Sequence, residues 1–451
     1  MLVVHFSVLP VLVATIWNFI YNIFMDYLKR GFYMDNLKAQ LNFGAKIIKH
    51  FLRWMCFALI TGLTVGLVGT VFVKGLTWAN NFRLNHPQLI YGLPLAGLFL
   101  VFIYHKAGLK EDKGTNQIIS TLHAESRVPF RMMPLIFIAT ITTHLFGGSA
   151  GREGAALQLG GSIGNKLGNW FKLNEADTRL MVMCGMSAAF SAIFGTPLAA
   201  VVFAMEVGSI GIMHYAALVP CAASALIASA FALNMGVHPE AFHIADIAVF
   251  NIPNALKTII LAIICALLSI VFCKMLHFVG HFLKDKFQNP YIRVVVASIV
   301  IIALTFILNT NVYSGAGVNL IEEAFHGEVP KLSFFWKMLF TALTLGAGFK
   351  GGEIVPSFTI GATFGCLFGC LFGISPSLCA AVGMVAVFCG VTNAPIASLL
   401  IGFELFGFGA MKFLLIGVAI SYLFSGYESL YSEQRITYSK LETKYVNAKP
   451  H

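Results

Sequence analysis

Residues 185–206 read GMSAAFSAIFGTPLAAVVFAME, and residues 383–404 read GMVAVFCGVTNAPIASLLIGFE. The two stretches align without a gap. Gly185, Met186, Ala188, Phe190, Pro197, Ala199 and Glu206 match Gly383, Met384, Ala386, Phe388, Pro395, Ala397 and Glu404. A glycine-rich loop with a glutamate lies upstream of each copy: GGSAGREG at 147–154 and GAGFKGGE at 346–353. Shared membrane composition accounts for some identities. It accounts less well for the common register of Pro and Glu. Two related halves, each with a Gly-interrupted apolar segment in the same place, have the pattern of a duplicated transporter whose site lies where the repeats meet.

The composition around this repeat points the same way. Of 451 residues, 58% are hydrophobic and 11% are charged, against about 25% charged in a typical soluble domain. Mean hydropathy is +0.80. At ~20 residues per span, the apolar content allows about a dozen crossings. This excludes a disordered chain, a disulfide scaffold and an ordinary soluble enzyme. The apolar runs are continuous rather than alternating, which excludes a strand barrel. The expected fold class is an all-α polytopic membrane protein. Its main apolar segments fall near 51–79, 89–104, 132–146, 180–209, 214–235, 253–280, 292–309, 334–347, 354–374, 377–389 and 395–425. Several are too short to cross alone. Interrupted helices are tolerated at membrane depth only where they line a polar cavity or are buried in protein.

The formal net charge of +10 reports orientation rather than a nucleic-acid partner. Basic residues gather at Lys29–Arg53, Lys106–Arg131, Lys284–Arg293 and in the tail from Arg435. The segments 236–246 and 311–329 have no Lys or Arg, and the latter carries Glu322, Glu323 and Glu328. The positive-inside rule then places both ends of the main domain in the cytoplasm. Residues 1–24 make a poor signal peptide. They read as an extra span or as an upstream extension, with Met34 a natural start. The expected division is 1–49 for this N-terminal segment, 50–250 for the first repeat, 251–432 for the second, and 433–451 for a short cytoplasmic tail. The nine cysteines lie in apolar runs without a completing His or acidic partner, so neither a disulfide nor a metal site is expected. No cofactor is implied. An intramembrane enzyme is a remote alternative, and the metalloprotease pattern HExxH is absent.

The chemistry concentrates in three loops. In GGSAGREGAALQLGGSIG, residues 147–164, the glycines permit a non-helical entry and good helix formers follow. A helix starting near Arg152–Gly154 would present free N–H groups and a positive dipole end, which binds an anion. Glu153 would stand at that end. Its carboxylate can fill the anion position and, once protonated, swing away from it. The ordinary alternative is a cap paired with Arg152. A carboxylate among apolar spans is costly, and this favours a function. Glu353 in LGAGFKGGEIVPSF, residues 345–358, takes the matching place in the second half. Thr115 and Asn116 in KGTNQIIST, residues 113–121, could cap a third helix and offer donors to an anion. Glu206 and Glu404 each follow a Pro by nine residues. A paired structural role competes evenly with a functional one there.

These loops resemble the signature of the CLC family of anion channels and proton-coupled anion transporters. The match covers about residues 50 to 432. GREG at 151–154 is specific, and QLGGSIG at 158–164 follows as in the family. GTNQI at 114–118, GREGA at 151–155 and GGEIVP at 351–356 depart from the usual motifs in a way that resembles the fluoride/proton antiporter branch. The resemblance makes Glu153 the gating glutamate. It assigns Thr115 and Asn116 to the first anion-binding loop, and Glu353, Ile354 and Val355 to the second. It makes Tyr431, in SLYSEQ at 429–434, the central tyrosine, with Tyr427 and Tyr438 as rivals. Val207 stands where proton-coupled chloride exchangers carry a second glutamate, so Glu353 becomes the candidate for the second proton group. The resemblance further implies inverted repeats of tilted and re-entrant helices, a homodimer and a bacterial inner membrane. Its cargo would be fluoride or chloride exchanged for protons. A passive chloride channel, which also tolerates Val207, and a chloride/proton exchanger are the alternatives.

Overall fold

The computed structural model describes residues 15, 17–22, 33–109, 113–123 and 128–450, with 33–41 described by backbone alone. Most of the apolar run 1–24 lies outside the described residues. The chain forms two units, Met1–Cys56 and Phe57–His451. In the first, residues 17–22 and those from Tyr33 onward are helical.

From Tyr33 onward the α-helices fall into two series of eight. The first is α1 (Tyr33–Asn85), α2 (Leu93–Lys106), α3 (Thr115–Leu122), α4 (Met132–Leu145), α5 (Glu153–Trp170), α6 (Glu175–Phe194), α7 (Pro197–Glu206) and α8 (Leu218–Asn234). The second is α9 (Ile252–Lys286), α10 (Pro290–Leu308), α11 (Val318–His326), α12 (Ser333–Ala347), α13 (Ile354–Phe372), α14 (Pro376–Thr392), α15 (Pro395–Phe406) and α16 (Met411–Phe424). Each series opens on its longest helix, and its third and seventh helices are its two shortest. Among the described residues, six helical stretches are long and apolar enough to cross a membrane, and others stop short.

Local chemistry sets the breaks. The apolar stretch 180–209 is read from sequence as one segment, but it is two helices. Gly195, at φ 78°, ends α6 in the left-handed region, and Pro197 opens α7. Proline suits a helix start because its missing N–H would have no intrahelical partner there. Asn393 and Pro395 do the same between α14 and α15. The stretch 395–425 likewise divides at Gly407 into α15 and α16.

The halves are inverted, and hydrogen bonds at their junction show it. The Glu206 carboxylate accepts from the N–H groups of Ile396 at 3.2 Å and Ala397 at 2.9 Å. The Glu404 carboxylate accepts from Leu198 at 2.9 Å and Ala199 at 2.8 Å. Each glutamate lies in the last turn of its own helix and caps the start of the other, so α7 and α15 run antiparallel. The two glycine loops also meet as an antiparallel bridge, Gly151 N–H to Gly352 O at 2.6 Å and Gly352 N–H to Gly151 O at 2.8 Å.

Within each half one helix pair packs backbone to backbone. A Cβ on Gly160 would run into the Gly185 carbonyl, and one on Gly164 into the Met181 carbonyl. In the second half, Gly361 meets Gly383 and Gly365 meets Cys379 in the same way. Small residues at such positions let apolar helices approach where lipid supplies no hydrophobic drive. A three-stranded sheet completes the described fold. β1 (Ser209–Ile210) pairs in parallel with β2 (Arg435–Tyr438), which pairs antiparallel with β3 (Tyr445–Ala448). These strands are too short to show periodicity in sequence. The architecture is a polytopic helical membrane protein of two inverted repeats.

Candidate functional site

The bridge between the glycine loops aims two helix starts at one region. Helix α5 begins at Glu153 and α13 at Ile354, with Arg152 and Glu353 at the N-cap positions. The first intrahelical bonds run from Ala156 N–H to Arg152 O and from Ser357 N–H to Glu353 O. The N–H groups of Gly154, Ile354 and Val355 therefore have no acceptor within their own helices.

Glu153 is fully buried. Its carboxylate accepts from the Arg152 backbone N–H at 3.1 Å and from Arg152 Nε at 3.3 Å. The carboxylate is thus paired with Arg152 at the start of α5. Arg152 forms a second ion pair with Glu240, a residue of the acidic segment 236–246. A cavity of about 300 Å³ opens beside them, lined by Lys74, Thr77, Arg152, His238 and Glu240 among others. Sequence reading missed Glu240; its signal was a carboxylate in a segment free of Lys and Arg.

Glu353 lies close by. A Cβ placed on Gly154 would stand 2.8 Å from Glu353 Oε2, 3.0 Å from the Gly352 Cα and 3.1 Å from Thr115 Oγ1. Gly154 thus holds open the space where α3, α5 and the second glycine loop converge. Neither Thr115 nor Asn116 caps α3: the N-cap is Gly114, and Thr115 is the first helical residue. The Thr115 hydroxyl instead donates to Gly154 O at 3.4 Å and accepts from Gln158 Nε2 at 3.3 Å. Asn116 Oδ1 accepts from the Glu433 backbone N–H at 3.3 Å.

Three buried polar atoms here lack a hydrogen-bond partner among the described residues: Glu353 Oε2, Gln158 Oε1 and the Tyr431 hydroxyl. Buried polar groups are normally satisfied, so such a set calls for a ligand or water. The three tyrosines are now distinct. Tyr431 is fully buried with a free hydroxyl. The Tyr427 hydroxyl is bonded to Ser439 at 3.0 Å and to the Lys440 N–H at 3.0 Å. Tyr438 is exposed. A second cavity of about 300 Å³ is lined by Asn116, His277, His281, Lys284 and Glu353 among others.

Lys337 is a further residue that sequence reading missed. It is fully buried on α12, and its Nζ donates to Ser149 Oγ at 2.9 Å, Tyr313 O at 3.1 Å and Gly315 O at 2.7 Å. A lone ammonium in the apolar run 334–347 was the available signal. Residues 147–151 also spell Gly-x-Ser-x-Gly, a hydrolase pattern. The Ser149 hydroxyl is taken up by Lys337 and Thr341, and among the described residues no histidine bonds to it. No group of three or more His, Cys, Asp or Glu suited to a metal occurs among the described residues.

A family model described as Voltage gated chloride channel matches residues 96–426. The chain is 34% identical over 401 residues to the chloride/fluoride channel protein of Pseudomonas syringae pv. tomato, covering 87% of this chain and 89% of that one. It is 26% identical over 386 residues to the H(+)/Cl(-) exchange transporter ClcA of Vibrio cholerae, covering 77% and 81%. A crystal structure of a CLC-type fluoride/proton antiporter matches with a TM-score of 0.82 at 34% identity, covering 85% of this chain and 98% of that one. A slow cyanobacterial Cl-/H+ antiporter matches in fold, with a TM-score of 0.72 at 20% identity. The family match spans most of the chain, and its fold is that of solved relatives. The protein therefore belongs to the voltage gated chloride channel, or CLC, family, as a CLC-type anion transporter of the membrane.

Proposed function

We propose that this transporter exchanges fluoride for protons, exporting fluoride from the cytoplasm of a bacterial cell across its inner membrane. The observation that carries the reading is the Glu153 carboxylate, wholly buried at the start of α5. There it occupies the position that favours a negative charge. Protonation removes its charge and frees the position for an anion. One side chain is thus gate and proton carrier.

The anion-binding groups in this reading are the N–H groups of Gly154, Ile354 and Val355, the donors of Thr115 and Asn116, and the Tyr431 hydroxyl. Arg152 holds the unprotonated gate. Glu353, with an unpartnered carboxylate oxygen beside Gly154, is the second proton group. Fluoride is small and strongly hydrated, so it needs dense donors in place of its water. The names of the Pseudomonas relative and of the solved antiporter support fluoride as cargo. The basic segments face the cytoplasm, and the working form is a homodimer with one pathway per subunit.

The test is flux from liposomes holding the purified protein, with a fluoride electrode and a pH indicator read together. A fluoride gradient should drive protons uphill, and chloride should pass far more slowly. Chloride moving as fast as fluoride, or fluoride moving without protons, would instead favour a passive channel. Glu153→Gln should abolish proton coupling while the fold persists.

A further inference from the structure

The mechanism above leaves one question: how a proton on Glu353 reaches the aqueous phase. Val207 stands beside Glu206 at the end of α7, and the Glu206 carboxylate is committed to the N–H groups of α15. Neither offers a free proton acceptor. The cavity of about 300 Å³ at Glu353 does. Its lining includes Glu353, Asn116, His277, His281, Lys284 and Gly346.

His277 and His281 lie one turn apart on α9, so they stack along one face of that helix. Gly280 sits between them, against Gly346 of α12. A Cβ on Gly346 would come within 3.1 Å of the Gly280 nitrogen. This close contact of backbones holds the two imidazoles beside the loop that carries Glu353. Lys284 marks the basic end of the cavity, one turn beyond His281. The charged and titratable groups around His277 are Glu353 across the cavity, Glu428 before Tyr431, and Lys274, His281 and Lys284 on α9 itself. Glu428 is paired with Lys274 at 3.3 Å, which leaves Glu353 as the unpaired carboxylate of the set.

We propose that His277 is the proton acceptor that connects Glu353 to the water of this cavity. The step is balanced by one proton. The Glu353 carboxylic acid gives its proton, through cavity water, to the neutral imidazole, leaving a carboxylate and an imidazolium. The imidazolium then returns the proton to water at the His281–Lys284 end. An imidazole nitrogen can accept a proton and release it again, which is what a relay between Glu353 and water requires. The assignment rests on Glu353 carrying a proton, as proposed above.

The experiment measures fluoride-driven proton flux by the full-length protein in liposomes, with the pH on the cavity side varied between about 5 and 8. His277→Gln should slow coupled exchange by roughly tenfold to a hundredfold, the range of a lost acid–base group, and should flatten the pH profile. Free imidazole added to His277→Ala on that side should restore much of the rate. Elution of both variants as wild-type particles excludes misfolding as the cause. A wild-type rate and profile in His277→Gln would overturn the proposal. So would equal losses of fluoride and chloride flux with no imidazole rescue, which would make the cavity an anion vestibule alone. Proton coupling that survives Glu353→Gln would instead sink the role of Glu353, whatever His277 does.

Discussion

Gly154 shows how narrow the tolerances are at the scale of one residue. Its missing side chain is what lets the Glu353 carboxylate and the Thr115 hydroxyl share a space with the start of α5. Gly154→Ala would place a methyl 2.8 Å from one and 3.1 Å from the other, with the Gly352 Cα at 3.0 Å. The carboxylate can swing away, but the backbone of Gly352 cannot. The expected result is a folded protein, destabilised by about 1–3 kcal/mol, whose fluoride exchange is largely lost. A variant with unimpaired exchange would show that the anion does not pass here. GREG drew attention to Glu153 and Gly154 as candidates, because a charge among glycines and apolar spans is conspicuous. Tyr431 was harder to choose. What separates it from Tyr427 and Tyr438 is burial and the lack of a partner, which depend on chain folding around it. Glu240 and Lys337 escaped notice because their partners lie far away in sequence.

Helices α7 and α15 carry the clearest lesson at the scale of elements. The shared register of Pro and Glu was visible in sequence, but its meaning was not. In the structure each proline opens a helix whose free N–H groups are capped by the glutamate of the other half. The reciprocal cap explains why a costly carboxylate stands at both places. It also assigns Glu206 a structural task, which the sequence alone left level with a functional one. Glu206→Gln and Glu404→Gln each keep one oxygen for one N–H and lose the favourable charge at a helix start. Each should cost about 1–2 kcal/mol, read as a lower midpoint of thermal unfolding in detergent. Both variants should still exchange fluoride for protons. Loss of coupling at unchanged stability in Glu206→Gln would place that residue on the proton path. The apolar segments 180–209 and 395–425 were read as single because hydropathy does not register a break of two or three residues. Gly195, Pro197 and Gly407 were the signals, and they act through backbone geometry rather than polarity.

Across the whole molecule, the two halves supply one glutamate each to the candidate site, and residues 433–449 fasten one of its walls. Glu433 donates its backbone N–H to Asn116. Its carboxylate lies between Lys113, which precedes the loop of Asn116, at 2.8 Å, and Lys449 of the terminal stretch at 2.7 Å. Gln434 adds bonds from its side chain to Val207 O and Thr392 O, each at 2.9 Å. The tail thus ties both halves together and sets which way the Asn116 amide points. Hydrogen bonds from Lys113 and Lys449 hold the Glu433 carboxyl below the usual carboxylate range. A depressed pKa means that the clamp is fully formed at neutral pH and is lost only as pH falls through that lowered value. Acidifying this face to about pH 5 should therefore leave the clamp intact, since a free Glu titrates near ~4.3. Glu433→Gln breaks both ion pairs at every pH. Lys113 and Lys449 are largely exposed, so stability should fall by no more than ~1 kcal/mol. The effect should appear in transport instead. With the tail loosened, Asn116 loses its fixed orientation, and the fluoride concentration for half-maximal flux should rise severalfold while the maximal rate changes little. Removal of the terminal stretch carrying Lys449 should give part of the same shift. If Glu433→Gln altered the unfolding midpoint but not the fluoride dependence, the tail would be a structural strap with no hold on the anion site.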